Sequence, residues 1–261
     1  MARKIVVTSG KGGVGKSTFT ANLGLRLAQR GLRVCMIDLD LGLNNLDVIM
    51  DVENKVIFDI VDAVEGKCRI KQALVQDPYC NSLYLLPGSR NVAKGVVSGQ
   101  NVKVLINKIS QIFDYILIDC PAGVGNGFHR AVSAAEEAVV VMTPNLPSVR
   151  DAKKTVALLK SYDLISVKGV VNRLRGDMVM SGDMMDAFEI FSLLDVEPLG
   201  IVPEDDFLSF TGPVRPQNTP SDTAFEMIAT NLHEGKKDMY DCVSRYSGFF
   251  GNIRRKIKRR A

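Results

Sequence analysis

Short runs of consecutive apolar residues recur along the chain, with longer helix-like stretches between them. The runs are rich in β-branched residues, and several are apolar at consecutive rather than alternate positions. Strands buried on both faces of a parallel sheet show that pattern. Strands are predicted at 5–8, 34–37, 83–86, 116–118, 139–142, 170–171 and 199–202. The alternation predicts an α/β fold, a mostly parallel sheet flanked by helices on both faces.

Helical spacing of apolar residues predicts the elements between the strands. A first helix is expected from about Lys16 to just before Gly31, which can end it as the first residue past the cap. A second is expected at 151–161, and the proline-containing segment 213–220 is expected to be a loop that leads into a helix from Ser221.

Composition is that of an ordinary globular protein, with 46% hydrophobic and 24% charged residues among 261. We expect one large α/β domain at 1–245 and a short terminal segment at 246–261. Five cysteines without a C-x-x-C pair, and no apolar leader at the N-terminus, predict reduced thiols in a cytoplasmic protein. No run approaches the roughly 18 apolar residues of a membrane-spanning helix.

Basic residues are concentrated at the end of the chain. From Cys242 onward there are seven Lys or Arg and no acid, which leaves 33 − 7 = 26 basic against 29 acidic residues before it. The body therefore has a formal charge of −3, although the whole chain has +4. Any contact with nucleic acid or an anionic membrane is expected at this tail.

Residues 10–17 read G-K-G-G-V-G-K-S, directly after a predicted strand and directly before a predicted helix. The run matches the phosphate loop G-x-x-x-x-G-K-[ST] in both letters and context. Its backbone N–H groups can face phosphates, while Lys16 reaches the β- and γ-phosphates and Ser17 offers a hydroxyl to Mg²⁺. The alternative is a Gly-rich turn with a chance Lys-Ser pair. The nucleotide-binding residues predicted here are Gly10, Lys11, Gly12, Gly13, Val14, Gly15, Lys16, Ser17 and Thr18.

Aspartates stand at two predicted strand ends, Asp38 and Asp40 after the second strand and Asp119 after the fourth. Ligands of open α/β sheets bind at that edge. Carboxylates beside a triphosphate would repel it unless they hold Mg²⁺ or a water molecule. Ordinary loop aspartates are the alternative. We predict Ser17, Asp38 and Asp119 at the metal site, and Lys16 and Asp40 as catalytic residues.

The loop K-G-G-V-G-K-S resembles the deviant Walker A motif of the signature-lysine ATPases, the MinD/ParA family. The stretch from Asp38 to Asn45 resembles that family's switch I, and D-C-P-A-G at 119–123 resembles its Walker B and switch II. The run N-L-D-V-I-M at 45–50 is especially similar to the MinD group. The chain departs from the pattern after Gly123, where V-G-N-G-F replaces an expected acid or amide.

Residue roles follow from this resemblance. Lys11 is expected to reach across an ATP-sandwich homodimer to the partner's nucleotide, and a solvated surface lysine is the alternative. Asp40 would orient or deprotonate the attacking water, and Asn45 would assist near the γ-phosphate. Asp38 would position these residues without contacting the nucleotide. The peptide of a switch II glycine, here Gly123, would flip toward or away from the γ-phosphate. Adenine contacts are implied for Asn172, Pro203, Glu204 and Asp205.

The tail Y-S-G-F-F-G-N-I-R-R-K-I-K-R-R-A gathers apolar residues on one face of a predicted helix and six basic residues on the others. This pattern is typical of a helix lying in a membrane surface. The alternatives are a nucleic-acid-binding tail and a charge run with incidental apolar residues. The predicted membrane contacts are Phe249, Phe250, Ile253 and Ile257.

The resemblance runs from Ile5 to the tail, and such a tail distinguishes MinD-like proteins from partition proteins. It implies an ATPase with ATP and Mg²⁺ as cofactors that dimerises on ATP and attaches to the inner face of the cell membrane. It also implies a recruited division inhibitor and a partner that stimulates hydrolysis, with nucleic acid not expected. The alternatives are a flagellar-number ATPase of the same superfamily, a DNA-bound partition ATPase and a nucleotide-dependent adaptor.

Overall fold

The predicted strands form one sheet in the computed structural model, which describes residues 1–42, 44–89, 97–206, 208, 215 and 218–247. In these ranges the strands are β1 (Arg3–Thr8), β2 (Val34–Asp38), β3 (Val75–Gln76), β4 (Leu83–Leu86), β5 (Tyr115–Asp119), β6 (Glu137–Met142), β7 (Ser166–Leu174) and β8 (Glu197–Pro203). Their order across the sheet is β3-β4-β2-β5-β1-β6-β7-β8. All neighbours are parallel except β3 and β4, which are antiparallel.

Helices cover both faces of this sheet. Among the described residues the α-helices are α1 (Lys16–Gln29), α2 (Leu46–Ile49), α3 (Ile60–Val64), α4 (Ile70–Ala73), α5 (Gly99–Ile109), α6 (Asn126–Val132), α7 (Leu146–Leu159), α8 (Gly176–Met180), α9 (Ala187–Leu194) and α10 (Pro220–Glu234). Short 3₁₀ turns lie at Glu53–Lys55 and Ser244–Tyr246. The α/β prediction with helices on both faces is confirmed.

The two hydrophobic clusters explain the consecutive apolar runs. On β1, Val6 belongs to the cluster on one face, whereas Ile5 and Val7 belong to the cluster on the other. Residues Ile116 and Leu117 of β5 divide in the same way. Helices α1 and α10 pack on the face of Ile5, while α5, α6, α7 and α9 pack on the face of Val6.

Three elements differ from the sequence prediction, and one of them is β7, which was predicted at 170–171 and spans Ser166–Leu174. Helix α7 begins at Leu146, five residues before the predicted start, because Asn145 accepts a hydrogen bond from the Ser148 N–H and Pro147 fits the first turn. The two-residue strand β3 was not predicted, since one antiparallel edge pair leaves no repeating pattern. Helix α1 ends as predicted, with Gly31 at φ +84°. Of the loop predicted at 213–220, residues 215 and 218–220 are described, and Pro220 is already the first residue of α10.

Candidate nucleotide site

The carboxyl ends of three adjacent strands meet at one edge of the sheet. Strand β5 lies between β1 and β2, and Asp119 at its end pairs in register with Val7 on one side and Asp38 on the other. The loop after β1 leads directly into α1. This arrangement brings the predicted phosphate loop and two of the predicted aspartates to the same place.

Glycine is required at three points of the loop. Gly13 and Gly15 have φ of +79° and +88°, a left-handed conformation that favours glycine. A Cβ built on Gly10 would lie 2.3 Å from the backbone carbon of Asp151 in α7. Helix α1 starts at Lys16, so its unpaired N–H groups and its partial positive charge point at the loop. The loop therefore has the geometry of an anion site.

Asp119 is the centre of the polar contacts. Its Oδ1 accepts hydrogen bonds from Lys16 Nζ at 2.8 Å and Thr20 Oγ1 at 3.1 Å, and its Oδ2 accepts from Ser17 Oγ at 2.6 Å. The carboxylate is fully buried and the lysine side chain is only 7% exposed. The Ser17 hydroxyl and this carboxylate form an oxygen donor set, which suits Mg²⁺. The structure thus brings together Ser17 and Asp119, two of the residues predicted at the metal site.

Asp38 holds the loop that follows β2. Its Oδ1 accepts from the Asp40 N–H at 3.0 Å, and its Oδ2 accepts from the N–H groups of Asn45 and Leu46 at 3.0 and 3.1 Å. Burial and then the neighbouring Asp119 raise the pKa of Asp38 to about 6. These contacts show a structural role for Asp38, and its predicted part in the metal site stays a prediction.

Asp40 faces the site from the same loop. Its carboxylate accepts no hydrogen bond from the residues that the structure describes. Burial raises the pKa of Asp40, the positive charge of Lys16 opposes that rise, and Asp119 adds to it. A carboxylate with a raised pKa close to the phosphate-loop lysine has the character of a base. Asn45 lies on the surface just before α2, and its catalytic role stays a prediction.

Switch II is tied to the phosphate loop. Gly123 has φ of +82°, and its N–H donates to the Ser9 carbonyl at 3.0 Å. Ser9 in turn donates through its hydroxyl to the Lys11 carbonyl at 3.0 Å. A rotation of the Gly123 peptide would therefore break its hydrogen bond to Ser9 and could shift the loop that carries Lys11.

The predicted adenine residues lie together on the other side of the loop. Asn172 Nδ2 donates to the Val14 carbonyl at 2.8 Å, and Pro203 is the last residue of β8. The Asp205 carboxylate accepts from the Ser221 hydroxyl at the start of α10. A pocket is lined by all four predicted residues together with Gly15, Thr18, Phe19, Arg173, Leu208 and Phe225. The adenine contacts themselves stay predictions.

Lys11 is exposed at the mouth of a second cavity. This cavity of about 300 Å³ lies beside the loop and is lined by Lys11, Gly12, Gly13, Val14, Thr143, Pro144, Asn145, Arg173, Met184 and Glu204. Within the described ranges no acidic side chain forms an ion pair with Lys11. Its position fits a lysine that acts on another molecule, and also a surface lysine.

Two residues of the site were not predicted from the sequence. Thr20 donates to Asp119, and its position four residues after Lys16 on the same helix could have indicated this. Arg173 stands between the two cavities with φ of +60°, where the pairing of β7 with β8 is irregular. No sequence signal indicates that irregularity.

Other predictions concern the rest of the chain. The predicted membrane residues Phe249, Phe250, Ile253 and Ile257 lie outside the described residues. Among the helices that are described, none has the length and apolarity needed to cross a bilayer. All five cysteines are free, as expected for reduced thiols.

Comparison with known proteins decides the family. The family model ParA, described as NUBPL iron-transfer P-loop NTPase, matches residues 1–199. The septum site-determining protein MinD of Bacillus subtilis is 48% identical over 208 residues, which cover 79% of this chain and 78% of that protein. The chain belongs to the MinD/ParA family of P-loop NTPases. The resemblance read from the motifs is confirmed.

Solved MinD structures have the same fold. The MinD chain in the MinC:MinD cell division protein complex of Aquifex aeolicus matches with a TM-score of 0.83 at 39% identity, covering 91% of this chain and 98% of that one. The septum site-determining protein MinD of Pyrococcus horikoshii, complexed with Mg-ADP, matches with a TM-score of 0.77 at 28% identity, covering 90% and 97%. The predicted P-loop NTPase fold is confirmed.

Proposed function

We propose that this chain is a MinD-type ATPase that takes part in placing the division site. The 48% identity to a septum site-determining protein supports the role, and the likeness to MinD in a MinC:MinD complex supports recruitment of a division inhibitor. The likeness to a MinD that holds Mg-ADP supports ATP and Mg²⁺ as the cofactors.

Nucleotide binding uses the loop and the helix behind it. The N–H groups of the loop and the N-terminus of α1 receive the phosphates, and Lys16 donates to their oxygens. Ser17 and Asp119, whose oxygens lie within hydrogen-bond distance of each other, would hold Mg²⁺. When bound, Mg²⁺ neutralises charge on the triphosphate. Asn172 keeps the Val14 carbonyl turned away from the phosphates, because its amide binds that oxygen.

Hydrolysis uses residues of the loop after β2 and of a second copy of the chain. Asp40 accepts a proton from the attacking water or orients that water, and its raised pKa suits this task. Asn45 assists near the γ-phosphate. Lys11 of each copy reaches the nucleotide of the other and neutralises charge there, which requires an ATP-dependent homodimer. Its exposure without an ion pair among the described residues supports this role.

Membrane attachment uses the segment 246–261 on the cytoplasmic face of the cell membrane. Each basic residue near an anionic surface contributes on the order of 1 kcal/mol, and the apolar stripe adds to this. Ordering of the short helix takes part of that energy back. One tail therefore binds weakly, whereas two tails on a dimer bind with an avidity larger by ~10²-fold or more. Partner-stimulated hydrolysis then releases the protein.

The observation that carries the nucleotide chemistry is the convergence of Lys16 and Ser17 on Asp119. Static light scattering of the Asp40→Ala variant tests the central step, with a doubled mass expected in Mg-ATP and a single chain in Mg-ADP. Co-sedimentation of the ATP form should occur with anionic vesicles and not with duplex DNA. Sedimentation with DNA alone would favour a partition ATPase and contradict the proposal.

A further inference from the structure

An acidic surface follows the end of β7. Residues 176–206, which contain α8, α9 and β8, include nine Asp or Glu and no Lys, Arg or His. Some of these acids pair with bases from other elements, as Asp195 does with Lys160 and Glu197 with Lys168. Glu189 is exposed on α9 and forms no ion pair with a described residue. Asp177 is buried and pairs with Arg175, so at least three of the nine acids have bases outside the segment as partners, and the segment keeps a net negative charge.

The same surface exposes large apolar side chains. Phe188 and Leu193 of α9 are 57% and 50% exposed, and Met180 at the end of α8 is 39% exposed. The opposite face of α9 is buried, with Ile190 and Leu194 in the core. Helix α9 is thus covered on one side and presents apolar groups beside Glu189 on the other. We call this combination of α8 and α9 the acidic apolar surface.

The chain reaches this surface where its described part ends. A Cβ built on Gly176 would lie 1.8 Å from the Cys242 carbonyl oxygen and 3.1 Å from the Tyr246 ring, so the segment before Ser247 packs directly on the start of α8. Tyr246 is buried there. The Arg175 N–H donates to the Met184 sulfur at 3.3 Å. The segment that connects α8 to α9 therefore also lies beside the start of α8.

We infer that residues 248–261 dock on the acidic apolar surface of the same chain. This tail has six Lys or Arg, no acid, and the apolar residues Phe249, Phe250, Ile253 and Ile257, so it complements the surface in both charge and apolarity. As a helix its fourteen residues would span about 20 Å, enough to cross α9 from a start beside α8. The short connection gives an effective concentration of about millimolar, so that even a weak contact is populated.

Docking regulates the proposed membrane attachment, and this consequence rests on that proposed function. The apolar stripe of the tail cannot face α9 and a bilayer at the same time. A single chain therefore keeps its tail on its own surface, and an anionic membrane has to compete for it. Two tails on one dimer leave this surface for the bilayer more readily than one tail does, because they bind the bilayer with avidity.

Photo-crosslinking in the full-length protein tests the docking. A p-benzoylphenylalanine is placed at position 188 in Mg-ADP, with Ile57, an apolar residue that is even more exposed, as the control position. We expect crosslinked peptides that join position 188 to 248–261 within a single chain, and none from position 57. Absence of such peptides from position 188 would overturn the proposal, as would crosslinks found only between two chains.

Vesicle binding gives an independent measurement. Phe188→Ser and Glu189→Lys should each increase the fraction of the ADP form bound to anionic vesicles by about threefold to tenfold, whereas Ile57→Ser should not. Unchanged binding in both variants would overturn the docking. If the wild-type protein binds no vesicles with either nucleotide, the membrane proposal fails, and the crosslinks still decide the docking.

Discussion

The Nζ atom of Lys16 lies 2.8 Å from Oδ1 of Asp119, and both side chains are buried at the end of β5. The lysine belongs to the phosphate loop and the aspartate to the Walker B strand, so the pair joins the two halves of the nucleotide site. Ser17 binds the other carboxylate oxygen. Two residues that are 103 positions apart in the chain therefore form one buried ion pair.

Removal of the lysine should affect both binding and stability. Lys16→Ala loses charge-assisted hydrogen bonds to the phosphates, so the ATP affinity is expected to fall at least about tenfold. The buried Asp119 charge loses its partner, which is expected to lower the free energy of unfolding by about 3 kcal/mol. Calorimetric titration and urea denaturation measure the two effects. Unchanged ATP affinity and turnover would rule out the assigned site.

Lys11 and Asp40 should separate dimerisation from hydrolysis. Lys11→Ala is expected to bind ATP as a monomer with wild-type affinity, because the exposed side chain acts on the partner's nucleotide. Asp40→Ala is expected to bind ATP and stay dimeric, because hydrolysis stalls. Light scattering and phosphate release measure these properties. Normal dimerisation and turnover of Lys11→Ala would instead identify Lys11 as a solvated surface lysine.

Asn172 distinguishes loop anchoring from adenine recognition. Because the Asn172 amide binds the Val14 carbonyl, Asn172→Ala should lower the free energy of unfolding by about 1 kcal/mol. The same change should weaken the binding of both ATP and inorganic triphosphate. A residue that only contacts adenine would weaken ATP and leave triphosphate unaffected. Competition binding with the two ligands decides between these roles.

Asp38 should give the stability a characteristic pH dependence. Its pKa is about 6 in the folded protein and 3.8 in the unfolded chain, so its contribution is fully present below the unfolded pKa and is lost as pH rises through about 6. The shift corresponds to about 3 kcal/mol. Asp38→Asn cannot ionise, so its stability relative to wild type should improve by up to this amount between pH 4 and pH 7.

Urea denaturation at both pH values measures this difference. Asp195→Asn is the matched control, because Asp195 is exposed and Lys160 lowers its pKa, so the small effect has the opposite sign. Parallel pH profiles for Asp38→Asn and wild type would show that ionisation of Asp38 does not oppose folding.

Vesicle binding by the tail should depend separately on its basic residues and on its apolar residues. Deletion of 249–261 should abolish vesicle binding and leave ATP affinity unchanged, because no residue of the phosphate loop lies there. Ile257→Glu should weaken vesicle binding strongly, since it places a charge within the apolar stripe. Added salt should weaken wild-type binding only in part, because the apolar contribution is not screened. Complete loss of binding in high salt would indicate a purely electrostatic tail.

Sequence reasoning found what is encoded locally. The strands were predicted because burial on both faces leaves consecutive apolar residues such as Ile116 to Ile118, and the phosphate loop because its glycines and Lys16 are contiguous. Contacts between distant elements could not be predicted. The hydrogen bond from Asn172 to Val14 depends on how β7 ends beside the loop, and the packing of Tyr246 on Gly176 depends on the path of the chain after α10.

The fraction of full-length protein bound to anionic vesicles, measured in Mg-ATP and in Mg-ADP, tests the account most directly. Binding in Mg-ATP is expected to be much stronger, by ~10²-fold or more in affinity, because two tails then act together. Lys11→Ala should bind equally weakly with either nucleotide. Equal binding of the wild-type protein in Mg-ATP and Mg-ADP would contradict the account, even if the tail proved to be the anchor.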